Sequence, residues 1–179
     1  MALSTFEGPI RSLNGFYATG PGNVVTITAT TSLTVAAHAG KIISVGGTLA
    51  SDITLTLPSI VTTASAVSAG PGTDPNTLNN IGATFTFWIN ATIATSSLKI
   101  GTDGTDKYIG FVSSIDTDTS GAMAGFIPAA SNDFINLNGA ATGGIVGTWL
   151  QITALASAKY AVNGVILCTG SPATPFANS

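Results

Sequence analysis

Charged residues are scarce in this sequence. Only 7% of its 179 residues are Asp, Glu, Lys or Arg, whereas about 25% is usual for a soluble domain. The formal net charge is −3, and the five basic residues are scattered along the chain. Without a basic stripe to neutralise phosphates, the sequence predicts no nucleic-acid partner. A surface with so few charges suits a protein that is covered by neighbouring molecules.

The side chains that usually perform catalysis are also few. His38 is the only histidine and Cys168 the only cysteine. The sequence has no Gly-x-Ser-x-Gly nucleophile motif, phosphate-binding loop, dinucleotide-binding glycine motif or His/Cys metal spacing. We therefore predict that the chain is not an enzyme and needs no cofactor. We expect His38 to be structural or exposed and Cys168 to pack as a small apolar residue.

Long apolar runs are missing as well. Thr, Ser, Asn and Gly interrupt every apolar stretch before it reaches the roughly 20 residues that a membrane-spanning helix needs. The first 16 residues carry Glu7 and Arg11 and lack the apolar core of a signal peptide. These features predict synthesis in a cytoplasm and no membrane partner.

Strand patterns dominate what remains. Short runs rich in Val, Ile, Thr and Phe alternate with period two between clusters of Gly, Asn, Asp or Pro. In residues 52–58, Ile53, Leu55 and Leu57 share one face, and Pro58 ends the strand. The predicted strands are 24–29, 33–35, 41–45, 52–58, 83–92, 97–100, 107–112, 133–137, 149–155 and 160–167.

About ten strands in one chain predict an all-β fold, a single β-sandwich or jelly-roll-like barrel domain spanning residues 23–179. Asn163 and Gly164 stand between two apolar runs near the C-terminus. Because this residue pair tolerates the positive φ angles of a type I′ turn, we predict a β-hairpin there.

Two segments lack strand periodicity. Residues 1–22 are rich in Gly and Pro but contain isolated bulky groups, which predict an extended N-terminal arm that docks on a partner. The anchors of this arm are Phe6, Ile10, Leu13, Phe16 and Tyr17. An alternative is that the arm packs on its own domain as an edge strand.

Residues 61–80 are predicted to form a long loop, of a length that usually has a function.

Two pairs of carboxylates are candidate calcium ligands. Asp103 and Asp106 lie in one short segment, and Asp116 and Asp118 lie in another. Neither segment matches the twelve-residue calcium loop that ends in a bidentate Glu. Because Asp-rich turns between strands explain both pairs equally well, we predict no metal site.

Aromatic residues are the remaining candidates for binding. In the strand at 83–92, Phe85, Phe87 and Ile89 form the apolar face, which leaves Trp88 on the opposite face among threonines. A tryptophan in that position belongs at an interface or under a loop. We predict a subunit contact at Trp88 and Tyr108. The alternative is a platform on which sugars stack, formed by Trp88, Trp149, Tyr17, Tyr108 and Tyr160.

Several segments resemble a family of small β-rich virion proteins that decorate the heads of tailed bacteriophages or occur on their fibres. The similar segments, in order, are 33–43 (LTVAAHAGKII), 52–58 (DITLTLP), 83–88 (ATFTFW), 147–152 (GTWLQI), 159–164 (KYAVNG) and 169–176 (TGSPATPF). Separately, residues 8–16 (GPIRSLNGF) resemble an amino-terminal motif of phage structural proteins. The long segment at 61–80 departs from the shorter members of this family.

The resemblance implies a capsid decoration, or cement, protein on the virion surface, commonly trimeric, that binds the capsid shell. Its partners would be the major capsid protein of the same phage and further copies of itself. The alternatives are a fibre or receptor-binding module that contacts host glycans and, more remotely, a secreted glycosidase-like β-domain.

Overall fold

The computed structural model describes residues 21–46, 49, 51–63, 79–118 and 121–179. A 3₁₀ turn at Pro21–Asn23 precedes the first strand. Within these ranges the strands are β1 (Val24–Thr26), β2 (Thr31–Ser32), β3 (Ile42–Gly46), β4 (Ile53–Thr56), β5 (Thr84–Ala91), β6 (Leu98–Gly101), β7 (Lys107–Gly110), β8 (Val112–Asp116), β9 (Met123–Phe126), β10 (Phe134–Leu137), β11 (Trp149–Ala156), β12 (Lys159–Cys168) and β13 (Phe176–Ala177). A single helical turn, α1 (Val35–His38), lies between β2 and β3.

The strands form two sheets packed face to face, so the predicted β-sandwich is confirmed. The eight-stranded sheet has the order β1-β3-β5-β11-β12-β8-β9, and β7 also pairs with β12. The five-stranded sheet has the order β13-β10-β6-β4-β2. Both sheets mix parallel with antiparallel pairs.

The core lies between the two sheets and follows the period-two alternation of the sequence. On β5, Phe85, Phe87 and Ile89 point into the core and are at most 1% exposed. On β4, the side chains of Ile53 and Leu55 do the same, and Leu57 follows them into the core. Burying a large apolar side chain contributes about 1.5–3 kcal/mol, so these alternating positions hold the sheets together.

The predicted strand at 33–35 is wrong in part. Leu33 is buried, but Val35–His38 forms the helical turn α1. The hydroxyl of Thr34 accepts a hydrogen bond from the Ala37 N–H (3.2 Å), which caps this turn. The Thr34 N–H donates to Nδ1 of His38 (2.9 Å), so the only histidine is tied to the same turn.

The predicted hairpin at Asn163 and Gly164 is also wrong. β12 runs through both residues, and Asn163 pairs with Gln151 while Gly164 pairs with Leu150 of β11. Gly164 has a φ of 152°, and a Cβ at this position would collide with the carbonyl oxygen of Trp149. The glycine is therefore needed for the close approach of two strands. The hairpin turn lies just before β12 instead, where Ala158 has a φ of 56°.

Four strands were not predicted: β2, β8, β9 and β13. β9 has the sequence Met-Ala-Gly-Phe, which shows no alternation, and it lies at the edge of the eight-stranded sheet. β13 contains only two residues, too few for a periodic pattern. Most of the predicted loop at 61–80 and nearly all of the predicted arm at 1–22 lie outside the described residues.

Candidate binding face

Trp88 and Trp149 are partners across two neighbouring antiparallel strands. Trp88 lies on β5 and Trp149 on β11, in direct register. Because the neighbours of Trp88 along β5 point into the core, Trp88 itself points outward, as the sequence predicts. The two tryptophans are 38% and 42% exposed. They therefore place two large apolar groups side by side on the outer face of the eight-stranded sheet.

The hydrogen-bond ladder places these two residues directly opposite each other. The next residue along β5, Ile89, makes the strand hydrogen bonds: its N–H donates to the Thr148 carbonyl at 3.0 Å, and its carbonyl accepts from the Gly147 N–H at 2.9 Å. The adjacent Trp88–Trp149 pair is then of the non-hydrogen-bonded kind, in which facing side chains approach most closely. Thr84 and Thr153 form another pair of this kind on the same two strands, and their hydroxyls are 2.9 Å apart.

A row of uncharged polar residues runs beside the two tryptophans. Thr86, Gln151 and Asn163 are register partners on β5, β11 and β12. The side chains of Gln151 and Asn163 are exposed and make no hydrogen bond within the described part of the chain. Val165, the partner of Trp149 on β12, is 39% exposed. We call the set of Trp88, Trp149, Thr86, Gln151, Asn163 and Val165 the tryptophan face.

A second group of exposed apolar residues lies at the edge of the same sheet. Phe111 directly precedes β8, and Met123 and Ile127 stand at the two ends of β9. These side chains are 57%, 71% and 78% exposed, in that order. We call these three residues the edge patch. Exposed apolar groups beside an edge strand are typical of a surface that contacts another chain.

Tyr108 does not lie at a surface, so the predicted subunit contact at this residue is wrong. Its side chain is 1% exposed, and its hydroxyl donates to the Ile100 carbonyl at 3.0 Å. Burial raises the pKa of this phenol well above its usual value. Trp88 is exposed, and its subunit contact stays a prediction. The arm anchors Phe6, Ile10, Leu13, Phe16 and Tyr17 lie outside the described residues.

In the first carboxylate pair, Asp103 and Asp106 both accept hydrogen bonds from backbone N–H groups. Asp103 Oδ1 accepts from the N–H groups of Thr105 and Asp106, both at 2.9 Å, which closes a turn. Asp106 Oδ2 accepts from Ile60 N–H at 2.8 Å. Burial raises the pKa of Asp106, and the neighbouring Asp103 charge raises it further, against the opposing effects of the Ile60 N–H and Lys107.

The second carboxylate pair also accepts backbone hydrogen bonds. Asp116 Oδ1 accepts from Asp118 N–H, and Asp118 Oδ2 accepts from Gly170 N–H, each at 3.0 Å. In the ranges that the structure describes, no three His, Cys, Asp or Glu side chains are grouped so that they could hold a metal ion. No helix in those ranges is long and apolar enough to cross a membrane.

The opposite sheet carries a groove. It has a volume of about 270 Å³ and is lined by Lys99, Phe134, Asn136 and the last three residues, 177–179. Asn136 Oδ1 is buried there and has no hydrogen-bond partner among the described residues. The groove is smaller than the roughly 300–1,000 Å³ of pockets that enclose a small-molecule ligand. The exposed tryptophan face is therefore the stronger candidate for binding.

The sequence predicts the outward position of Trp88 but not its pairing with Trp149. The outward position of Trp88 follows from the alternation of β5 alone. Its pairing with Trp149 depends on strand order and register between segments about 60 residues apart, and no local pattern reports those.

Comparison with known proteins adds no relative. The chain matches no protein-family model, no curated protein and no solved structure.

Proposed function

We propose that the chain is a structural protein of a tailed-phage virion that binds the outer surface of the head and stabilises the shell. Its partners are the major capsid protein and further copies of itself, arranged as a homotrimer. It reaches the virion surface after synthesis in the bacterial cytoplasm. The sequence resemblance described above supports this proposal.

The observation that carries the proposal is the edge patch beside β9, the terminal strand of the eight-stranded sheet in the described structure. β9 is the terminal strand of the eight-stranded sheet, and β8 is its only partner strand in the described structure. An edge strand offers backbone N–H and C=O groups to which a neighbouring chain can add a strand. Met123 and Ile127 at its ends, together with Phe111, supply apolar area for the same contact.

Weak contacts of this kind suffice when many copies act together. Linking several binding sites in one oligomer raises the apparent affinity by about 10²–10⁴ without any new contact. The small number of charges fits such a surface, because few charged groups would need to lose water when neighbours cover them.

The test uses heads of the parent phage assembled without this protein. Purified chain is added, the heads are sedimented, and the bound copies are counted. We expect saturable binding that Ile127→Asp weakens about tenfold or more, since it places an unpaired charge in the contact. Leu155→Asp is the control. Leu155 is 55% exposed, but it lies on β11, which β12 and β8 separate from the edge strand β9.

Wild-type protein that fails to sediment with heads would overturn the proposal. A chain lacking residues 1–22 tests the predicted arm separately. If the truncated chain folds but no longer binds heads, the arm is the dock; if it binds as before, the arm hypothesis is wrong. If it fails to fold, the arm is instead an edge strand of its own domain.

A further inference from the structure

The chemistry of the tryptophan face differs from that of the edge patch. The edge patch is made of three apolar residues, whereas the tryptophan face combines two indoles with the unpaired amides of Gln151 and Asn163. None of its six residues is charged. These features call for a ligand that has both a flat apolar surface and many neutral hydrogen-bonding groups.

We propose that the tryptophan face binds a neutral polysaccharide, a function beyond attachment to the head. A pyranose ring presents its C–H groups on one face, which can stack on an indole, and hydroxyls around its rim. Trp88 and Trp149 lie on adjacent strands, about 4.8 Å apart in backbone spacing, so they can cover neighbouring parts of one sugar chain. Both indoles are accessible to solvent, as binding to a polymer requires.

The polar row lies where the sugar hydroxyls would be. Gln151 follows Trp149 on the same face of β11, two residues along, and Asn163 is its register partner on β12. An amide offers both a donor and an acceptor, and a hydroxyl does the same, so each amide can pair with the rim of a ring stacked on Trp149. Thr86 extends this row on the side of Trp88.

The absence of charge on the face selects the class of sugar. An anionic glycan would need Lys or Arg to balance its carboxylates or sulfates, and the face supplies neither. A neutral polymer does not need a charged partner on the surface that binds it. The ligand class is therefore a neutral hexose polymer.

A second copy of the chain is the competing occupant, as the subunit contact predicted at Trp88 implies. Covering the face with protein would bury the amides of Gln151 and Asn163, and each buried amide without a partner costs about 1–3 kcal/mol. Sugar hydroxyls satisfy these amides directly. The unpaired amides beside the indoles therefore favour the sugar.

Intrinsic fluorescence tests this proposal directly, because Trp88 and Trp149 are the only tryptophans in the chain. The full chain is titrated with cellohexaose, laminarihexaose and mannohexaose, and retention on the matching insoluble polysaccharides is measured. We expect at least one of these neutral sugars to shift the emission to shorter wavelength in a saturable way. Polygalacturonate, an anionic polymer, is the matched negative probe.

Three variants locate the site. Trp88→Ala and Trp149→Ala should each weaken retention about tenfold, as expected for the loss of one stacking contact. Gln151→Ala should weaken it by a smaller factor of about three to ten. Phe111→Ala, which removes an exposed aromatic ring outside the tryptophan face, should leave retention unchanged. Far-ultraviolet circular dichroism verifies that each variant is folded.

The outcomes separate the occupants. No emission shift and no retention with any of the three neutral sugars at millimolar concentration would overturn the proposal. An emission shift that follows protein concentration without sugar, together with a rise in mass by light scattering, would assign the face to a second copy and also overturn it. Binding of the wild-type chain to heads without sugar reports on the decoration proposal separately, because that assay does not depend on the sugar.

Discussion

Lys107 Nζ lies 2.7 Å from Asp133 Oδ2, and this ion pair ties β7 to the segment that leads into β10. Asp133 is almost fully buried and also accepts hydrogen bonds from the backbone N–H (2.7 Å) and hydroxyl (3.2 Å) of Ser179. Burial raises the pKa of Asp133, but the hydrogen bonds from Lys107 and Ser179 outweigh burial, so the pKa is lowered. One carboxylate thus connects the two sheets to the last residue of the chain.

Replacing this carboxylate should change both stability and its pH dependence. Asp133→Asn removes the charge and turns one acceptor into a donor that faces other donors, so we expect a loss of about 1–3 kcal/mol at pH 7. A carboxyl group whose pKa is lower in the folded state stabilises the fold at pH values above its unfolded-state pKa. This stabilisation is lost as the pH falls through the folded-state pKa. Wild-type protein should therefore lose this contribution as the pH falls below 3.8, and Asp133→Asn should show a smaller loss. Urea unfolding at pH 7, 4 and 2.5 measures both; equal pH dependence would contradict the assignment.

Asn80 should hold together the two ends of the long segment between β4 and β5, because its side chain bonds to Ser59 and Val61. It is buried, its Oδ1 accepts from Val61 N–H at 2.9 Å, and its Nδ2 donates to the Ser59 carbonyl at 2.8 Å. Asn80→Ala leaves both backbone groups without these partners, so we expect a loss of about 1–3 kcal/mol. Proteolysis near residues 59–63 should also become faster. Asn163→Ala, at an exposed side chain without a protein hydrogen bond in the described structure, is the control. Indistinguishable unfolding curves for the two variants would refute this role of Asn80.

Removal of metal ions should leave the protein unchanged. The carboxylates of Asp103, Asp106, Asp116 and Asp118 accept backbone hydrogen bonds, so their oxygens already have a structural use. We expect excess chelator to shift Tm by less than about 2 °C, which corresponds to under about 1 kcal/mol for a chain of this size. Differential scanning calorimetry measures the shift. A fall of roughly 10 °C or more would show that one of these pairs binds calcium.

The fold class could be predicted from the sequence because the signals that set it are local. Alternation in β4 and β5 shows which side chains enter the core, and the burial of Ile53, Phe85 and Phe87 agrees with it. The helical turn α1 was not predicted because its Thr cap and the three small or β-branched residues Val35, Ala36 and Ala37 occur equally in strands and turns. The edge strand β9 was missed because its exposed position requires no apolar alternation.

The candidate site was less predictable because it depends on contacts between distant segments. The alternation that places Trp88 outward gives no information on Tyr108, whose burial comes from its position on β7 beside Tyr160 of β12. The facing of Trp88 with Trp149, and of Gln151 with Asn163, results from the register of β5, β11 and β12. That register cannot be predicted from residue type or from the separation of the strands along the sequence.

Gly164 offers the sharpest test of the observed register. A hairpin turn at Asn163 and Gly164 would leave space for a side chain, whereas the continuous strand β12 places the Gly164 Cα against the backbone of Trp149 and Leu150. Its φ of 152° is also unfavourable for other residues. Gly164→Ala should therefore cost about 1–3 kcal/mol and Gly164→Val more, because the strands must separate.

The matched control for this test is Gly125→Ala. Gly125 also lies within a strand of the eight-stranded sheet, and a Cβ there would have no atom within 4 Å. We expect this variant to change the free energy of unfolding by less than about 0.5 kcal/mol. Because Gly164 pairs with Leu150, next to Trp149, Gly164→Ala should also shift the tryptophan emission, while Gly125→Ala should not. A cost at Gly164 no larger than at Gly125 would mean that β11 and β12 do not pair in this register, and the Trp149–Val165 and Gln151–Asn163 pairings of the tryptophan face would fail with it.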